Sequence, residues 1–229
     1  EAQSIRPSDI NNDVFLNLKN APDTNIVKLT SQLRAKGGND YIYFIDNLFN
    51  CNLDIDTPKF NNPNYELKLY THMPNMISAL EKNEKNYGLC RMIAGYAWKW
   101  VSAKTNNPDA IIDGVKLYWN RVPHDWINST TDLNEIGCIH TTQGYDLNYA
   151  GIVIGKDIKF NSLTQEIEVD RTQYFDAKGS VGITDIEVLK SYIINIYKTV
   201  LYRGIRGTYI YVCDDNLREY FKKYIETQD

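Results

Sequence analysis

No run of 18 apolar residues occurs in these 229 residues, and the chain opens on polar, loop-like sequence rather than a leader-like apolar segment. It therefore reads as neither membrane-spanning nor secreted, and a cytoplasmic location is expected. Cysteine is scarce: Cys51, Cys90, Cys138 and Cys213 lie far apart, with no CxxC pair and no histidine at zinc spacing. Three of them sit in apolar runs, where a thiol packs as a small hydrophobe, so reduced cysteines are expected. His72 and His124 have no matching ligands and no metal site is expected; no Ser–His–Asp or Cys–His arrangement stands out either. Positive charge is also in deficit, with a net charge of −4 and a pI near 5.5. That argues against a free-standing nucleic-acid binder held by phosphate neutralisation alone, while leaving room for one basic strip. A phosphate-cradling loop of the form GxxxxGK plus Ser or Thr is missing. The nearest approach, Gly151 to Lys156, has three spacers and its glycines bracket a strand.

What is present is an ordinary globular balance, 43% hydrophobic and 24% charged, in a length that suits one large domain. Residues 1–25 are polar and interrupted by Pro7 and Pro22, and read as an arm or the remnant of a preceding domain; residues 26–229 read as one domain. Strand-like runs are expected at 26–33, 65–71, 87–93, 115–119 and 209–213, with a hairpin over 158–160 and 166–169. Helical spacing is expected over 40–50, 74–84, 184–198 and 214–225, with Thr184 as N-cap and Glu187 completing a capping box. The EKNEKN run after residue 80 reads as a solvated face. Strands alternating with helices predict an α/β class with a mainly parallel sheet.

The most informative stretch covers residues 136–155, IGCIHTTQGYDLNYAGIVIG. Two short buried strands joined by a small-residue turn and a short helix are expected, the turn carrying His140, Thr141, Thr142, Gln143 and Gly144. Such corners meet phosphates through backbone N–H groups in open α/β sheets; the plain alternative is a capped strand–loop–helix corner. Two further segments carry arginine beside small residues: Arg34 in SQLR, and Arg203 and Arg206 in VLYRGIRGTYIYV. A guanidinium there offers a fork of donors to a phosphoryl group.

In this order, the three segments resemble the second motor domain of superfamily-one helicases, and more closely the helicase domain of the Schlafen-group family formerly called DUF2075. The 136–155 stretch resembles motif V, with His140, Gln143, Gly144 and Asp146 at its characteristic positions. VLYRGIRGTYIYV resembles motif VI, which puts Arg203 at the arginine-finger position, and SQLR resembles the element whose arginine reaches the γ-phosphate. GLCRMIAGYAWKW resembles the element preceding motif V and makes Arg91, Tyr96 and Trp98 candidate wall residues. One departure is Tyr202-Arg203-Gly204 where Thr-Arg-Ala is usual.

The resemblance implies a RecA-like domain of the P-loop NTPase type with a small β-hairpin insertion. Arg203 and Arg34 would be its catalytic arginines, and Gln143, Gly144, Asp146 and Arg206 its nucleotide contacts. His140, Thr141, Thr142, Tyr96 and Trp98 would contact single-stranded nucleic acid. With no lysine cradle and no metal-binding acidic strand end in the sequence, ATP and Mg²⁺ are expected only together with an N-terminal motor domain of the same polypeptide, and the isolated chain is expected to be inactive. The rival reading is a non-catalytic interaction or regulatory module on the same fold, in which Arg34, Arg203 and Gln143 would point to separate surfaces.

Overall fold

A computed structural model of the chain describes residues 12–26, 34–122 and 125–229. The strand expected over 26–33 falls almost wholly outside the described residues, as does His124. The described chain begins with helix α1 (Asn12–Lys19), whose Val14, Leu16 and Leu18 are exposed. Helix α2 (Gly38–Phe49) follows, burying Tyr41, Ile45 and Leu48 at the helical spacing that predicts it. Strand β1 (Glu66–Tyr70), helix α3 (Met73–Tyr87) and strand β2 (Cys90–Ala94) come next. The hairpin of β3 (Ala110–Ile112) and β4 (Val115–Trp119), helix α4 (Trp126–Ser129) and strand β5 (Glu135–Ile136) lie between β2 and β6 (Leu147–Ile154). After the hairpin of β7 (Ile158–Asn161) and β8 (Glu166–Val169) come helix α5 (Ile186–Leu201), strand β9 (Gly204–Val212), helix α6 (Asp215–Tyr224) and strand β10 (Glu226–Gln228).

Five strands pair in the order β10-β1-β9-β6-β2, every pairing parallel. Strands covered on both faces read as continuous apolar runs, and seven of the eight residues of β6 are buried. Gly151 on β6 faces α3: a Cβ there would lie 2.5 Å from Leu80. Gly95, just past β2, faces α5, since its Cβ would lie 2.9 Å from the Tyr197 ring. Helix α3 therefore covers one face of the sheet and α5 the other, as the opposite directions of their crossovers require. This is an α/β sheet of the RecA-like type.

Several expectations need correction. Asp185 immediately precedes helix α5 and its carboxylate accepts the Glu187 N–H at 2.8 Å, so Asp185 rather than Thr184 is the cap. Of the apolar stripe the sequence places on this helix (Ile186, Leu189, Ile193, Ile194 and Tyr197), Ile186 turns outward and is 43% exposed, while the other four are buried. The EKNEKN run continues α3, and two of its members are not solvated. Asn83 donates to the Tyr209 hydroxyl, while Glu84 accepts from Cys90 N and pairs with Arg91 at 3.1 Å. The chain does not close on a helix, because β10 follows α6 and pairs with β1. No helix forms between β5 and β6; residues 139–144 are successive turns. The hairpin over β7 and β8 forms as predicted, and none of the four cysteines is in a disulfide.

Candidate functional site

The crevice where an α/β sheet ordinarily takes a ligand is occupied by the protein itself. Connections leave the C-terminal ends of the neighbours β1 and β9 in opposite directions along the sheet, which is the usual switch-point position. The β3–β4 hairpin puts Asp113 there. Its Oδ2 accepts the Met73 N–H at the start of α3 (2.9 Å) and the Tyr211 hydroxyl of β9 (3.1 Å). The hairpin turns on Asp113 (φ 50°) and Gly114 (φ 81°), the two-residue left-handed turn that Asp-Gly favours. At the start of α6 the Asp214 carboxylate accepts the Leu217 N–H at 2.7 Å. Both helices that follow sheet strands at this end are thus capped by carboxylates.

The arginines gather at the opposite, N-terminal edge. Lys36 N donates to Ile205 O at 2.8 Å, which ties the segment carrying Arg34 to the start of β9. Arg34 Nε meets Asp146 Oδ1 at 2.6 Å, with both side chains about two-fifths exposed. Arg203 lies between the end of α5 and the start of β9. Its carbonyl accepts Leu147 N at 3.0 Å and its Nη1 donates to Tyr145 O at 3.3 Å. The residue is 9% exposed, and its Nε has no partner among the described residues. Burial first, and the nearby Arg34 guanidinium second, hold Arg203 below the ordinary arginine pKa, while Asp146 acts in the opposite sense. Arg34 thus pairs with Asp146 close to Arg203, and the more buried of the two guanidinium groups has a donor to spare.

Arg206 is placed nearby by an irregularity in the β6–β9 register, where Leu147 faces Gly204 and Tyr149 faces Gly207. It lies over the Tyr87 ring at 4.7 Å, and its Nε donates to Asn148 Oδ1 at 3.3 Å. The same irregularity accounts for Gly204 in Tyr202-Arg203-Gly204. A Cβ there would lie 2.2 Å from the Gly207 carbonyl oxygen, so alanine does not fit. Gly144, at φ 83°, makes the left-handed turn that brings Tyr145 and Asp146 to Arg203, and Gln143 beside it is exposed.

The remaining candidates collect near the other end of β2. His140 lies 6.3 Å from Tyr96, ring to ring, and both line a cavity with Trp98 and Thr141. The Thr141 hydroxyl is engaged locally, accepting Cys138 N at 2.8 Å and donating to Cys138 O at 3.0 Å. Thr142 is not available to a ligand: it is 1% exposed and donates to Ile139 O. Arg91 is not a wall residue either. It is buried, pairs with Glu84 and donates to Cys90 O and Ile127 O, tying α3 to α4. Trp119 and Asn120 belong to this cavity and carried no motif to mark them in the sequence.

A parallel sheet with its own crevice closed and its arginines at one edge defines an α/β domain of the RecA-like class. Residues 1–214 match the Schlafen group 3 DNA/RNA helicase domain, and the chain belongs to that family. It is also similar to the uncharacterized protein YPL245W of Saccharomyces cerevisiae, at 29% identity, with 68% of this chain and 36% of the yeast protein covered. The chain thus spans about a third of the length of the curated relative it matches. No solved structure matches it.

Proposed function

We propose that this helicase-family chain is the arginine-supplying motor domain of an ATP-dependent helicase or translocase, working against a nucleotide held by a second domain of the same polypeptide. The observation that carries the reading is the Arg34–Asp146 ion pair beside the buried Arg203, whose Nε has no partner among the described residues. A phosphoryl group entering this corner would meet two guanidinium forks, one of them largely desolvated, where charge-assisted hydrogen bonds are strong. In the rival reading, a non-catalytic module, the arginines have no reason to gather.

ATP would supply the transferable phosphoryl group. Arg203 would stabilise the charge that builds on it, Arg34 would exchange Asp146 for a phosphate oxygen, and Arg206 and the exposed Gln143 would flank the nucleotide. Among the described residues no group of three or more His, Cys, Asp or Glu side chains could hold a metal ion. In this reading Mg²⁺ is held by the partner domain. The turn from His140 onward, which reaches the arginine corner through Asp146, would sense a single strand of nucleic acid.

An arginine finger is worth about 10³- to 10⁵-fold in turnover. Arg203→Ala in the complete protein is expected to cost turnover on that scale while circular dichroism stays unchanged. Near-normal turnover would overturn the assignment.

A further inference from the structure

Beyond the C-terminal end of β2 lies a cavity of about 440 Å³ with aromatic walls. Tyr96 and Trp119 form its floor, meeting edge to face at 5.1 Å and 69°. Trp100, 47% exposed, stands against Trp119 at 5.9 Å and 87°, and Trp98 and Phe175 complete the walls. Phe175 N donates to Tyr96 O at 2.7 Å, which holds the 175–178 loop over the cavity.

One polar group is aimed with some care. Asn120 adopts a left-handed conformation, φ 54°, which asparagine tolerates better than most residues. Its Oδ1 accepts from Cys138 Sγ at 3.3 Å, and the residue lines the cavity. Two exposed lysines stand at the mouth: Lys178, and Lys99, whose Nζ lies 5.9 Å from the Phe175 ring centroid.

We propose that this cavity receives one unstacked nucleobase of a single-stranded nucleic acid. A base is flat and apolar on its faces and hydrogen-bonding at its edge. Trp98 and Trp100 offer faces to stack on, and Asn120 Nδ2 offers a donor to a ring nitrogen or carbonyl on the edge. Lys99 and Lys178 would meet the flanking phosphates. An aromatic box also suits an alkylammonium such as methylated lysine, which the buried Asp176 in the lining favours and the two lysines at the mouth oppose, so a trimethyl-lysine peptide is one arm of the test. The inference rests on the proposed strand-binding role of this domain and adds to it a residue, Asn120, that senses the base itself.

The test uses the full chain and a fluorescein-labelled single strand carrying one central fluorescent purine analogue, at low salt. Anisotropy reports binding, and the analogue's emission reports insertion. Binding with quenched emission is expected. Trp98→Ala and the solvent-exposed Trp100→Ala should each weaken binding about 5- to 150-fold, the equivalent of one lost stacking contact. Trp98→Phe, which keeps a ring, should restore most of it, and an abasic site at the analogue's position should mimic the alanine variants. Asn120→Ala should narrow the affinity difference among the four bases. Binding with unchanged emission and no abasic penalty would overturn the base pocket and leave the strand-binding role standing. No anisotropy change with the wild-type chain would overturn both. Tryptophan quenching by a trimethyl-lysine peptide, without quenching by the strand, would reassign the cavity to a cation.

Discussion

Arg203 answers two opposed demands. Taking a guanidinium out of water is unfavourable unless its donors are used, yet this one donates to a single backbone carbonyl and has an idle Nε. Arg34, Arg203 and Asp146 stand out in the sequence through their resemblance to helicase motifs, and the fold brings Arg34 into contact with Asp146 near Arg203. What could not be read was which polar groups the local turns would consume, such as the Thr142 hydroxyl given to Ile139 O. Asp157 was equally silent. Its carboxyl is fully buried, accepts the Tyr197 hydroxyl at 2.6 Å and leaves Oδ2 without a partner among the described residues. Burial raises its pKa to about 7 from 3.8, against the lowering effect of the Tyr197 hydrogen bond. The folded state therefore holds this proton to higher pH than the unfolded chain does. The associated stability is fully present below about pH 4 and is lost as pH rises through about 7, a change on the order of 4 kcal/mol. Urea unfolding of wild type and Asp157→Asn across that window should show the wild type losing stability relative to the variant as pH climbs. Parallel curves would mean that the carboxyl ionises in the folded protein as it does in water.

At the scale of elements, local chemistry set the boundaries that sequence periodicity left open by a residue or two. Helix α5 carries the apolar stripe expected of it, but two adjacent residues, Thr184 and Asp185, are both able N-caps, and only the backbone decides between them. Asp185 at φ −75° and ψ 124° has the extended conformation of a cap and bonds Glu187 N. Asp185→Ala is accordingly expected to lower stability by about 1 kcal/mol, and Thr184→Ala by no more than a few tenths. Equal losses in thermal or urea denaturation would return the cap to Thr184. The β3–β4 hairpin shows the other limit. Its Asp-Gly turn is readable in residues 113 and 114, whereas its docking against Met73 and Tyr211, about 40 and 98 residues away, is a tertiary event with no local signal.

For the whole molecule, the class was readable and the strand order was not. Alternating strand and helix runs imply a parallel sheet, but the order β10-β1-β9-β6-β2 depends on pairings between distant segments, and short β10 has no pattern of its own. That order decides what the chain can do alone. The switch-point crevice is filled by Asp113, the helices beside it are capped by carboxylates, and the arginines lie at the other edge. An arginine corner can stabilise charge on a phosphoryl group, but it neither cradles a triphosphate nor holds its metal, and both are needed for efficient transfer. The isolated chain is therefore expected to hydrolyse ATP no faster than a buffer blank containing Mg²⁺, with or without single-stranded nucleic acid. Turnover should appear only in the complete protein, and there it should depend on Arg203. Appreciable turnover by the isolated chain that survives Arg203→Ala would mean a hydrolytic site elsewhere on this domain, and the division of labour between two domains would have to be abandoned.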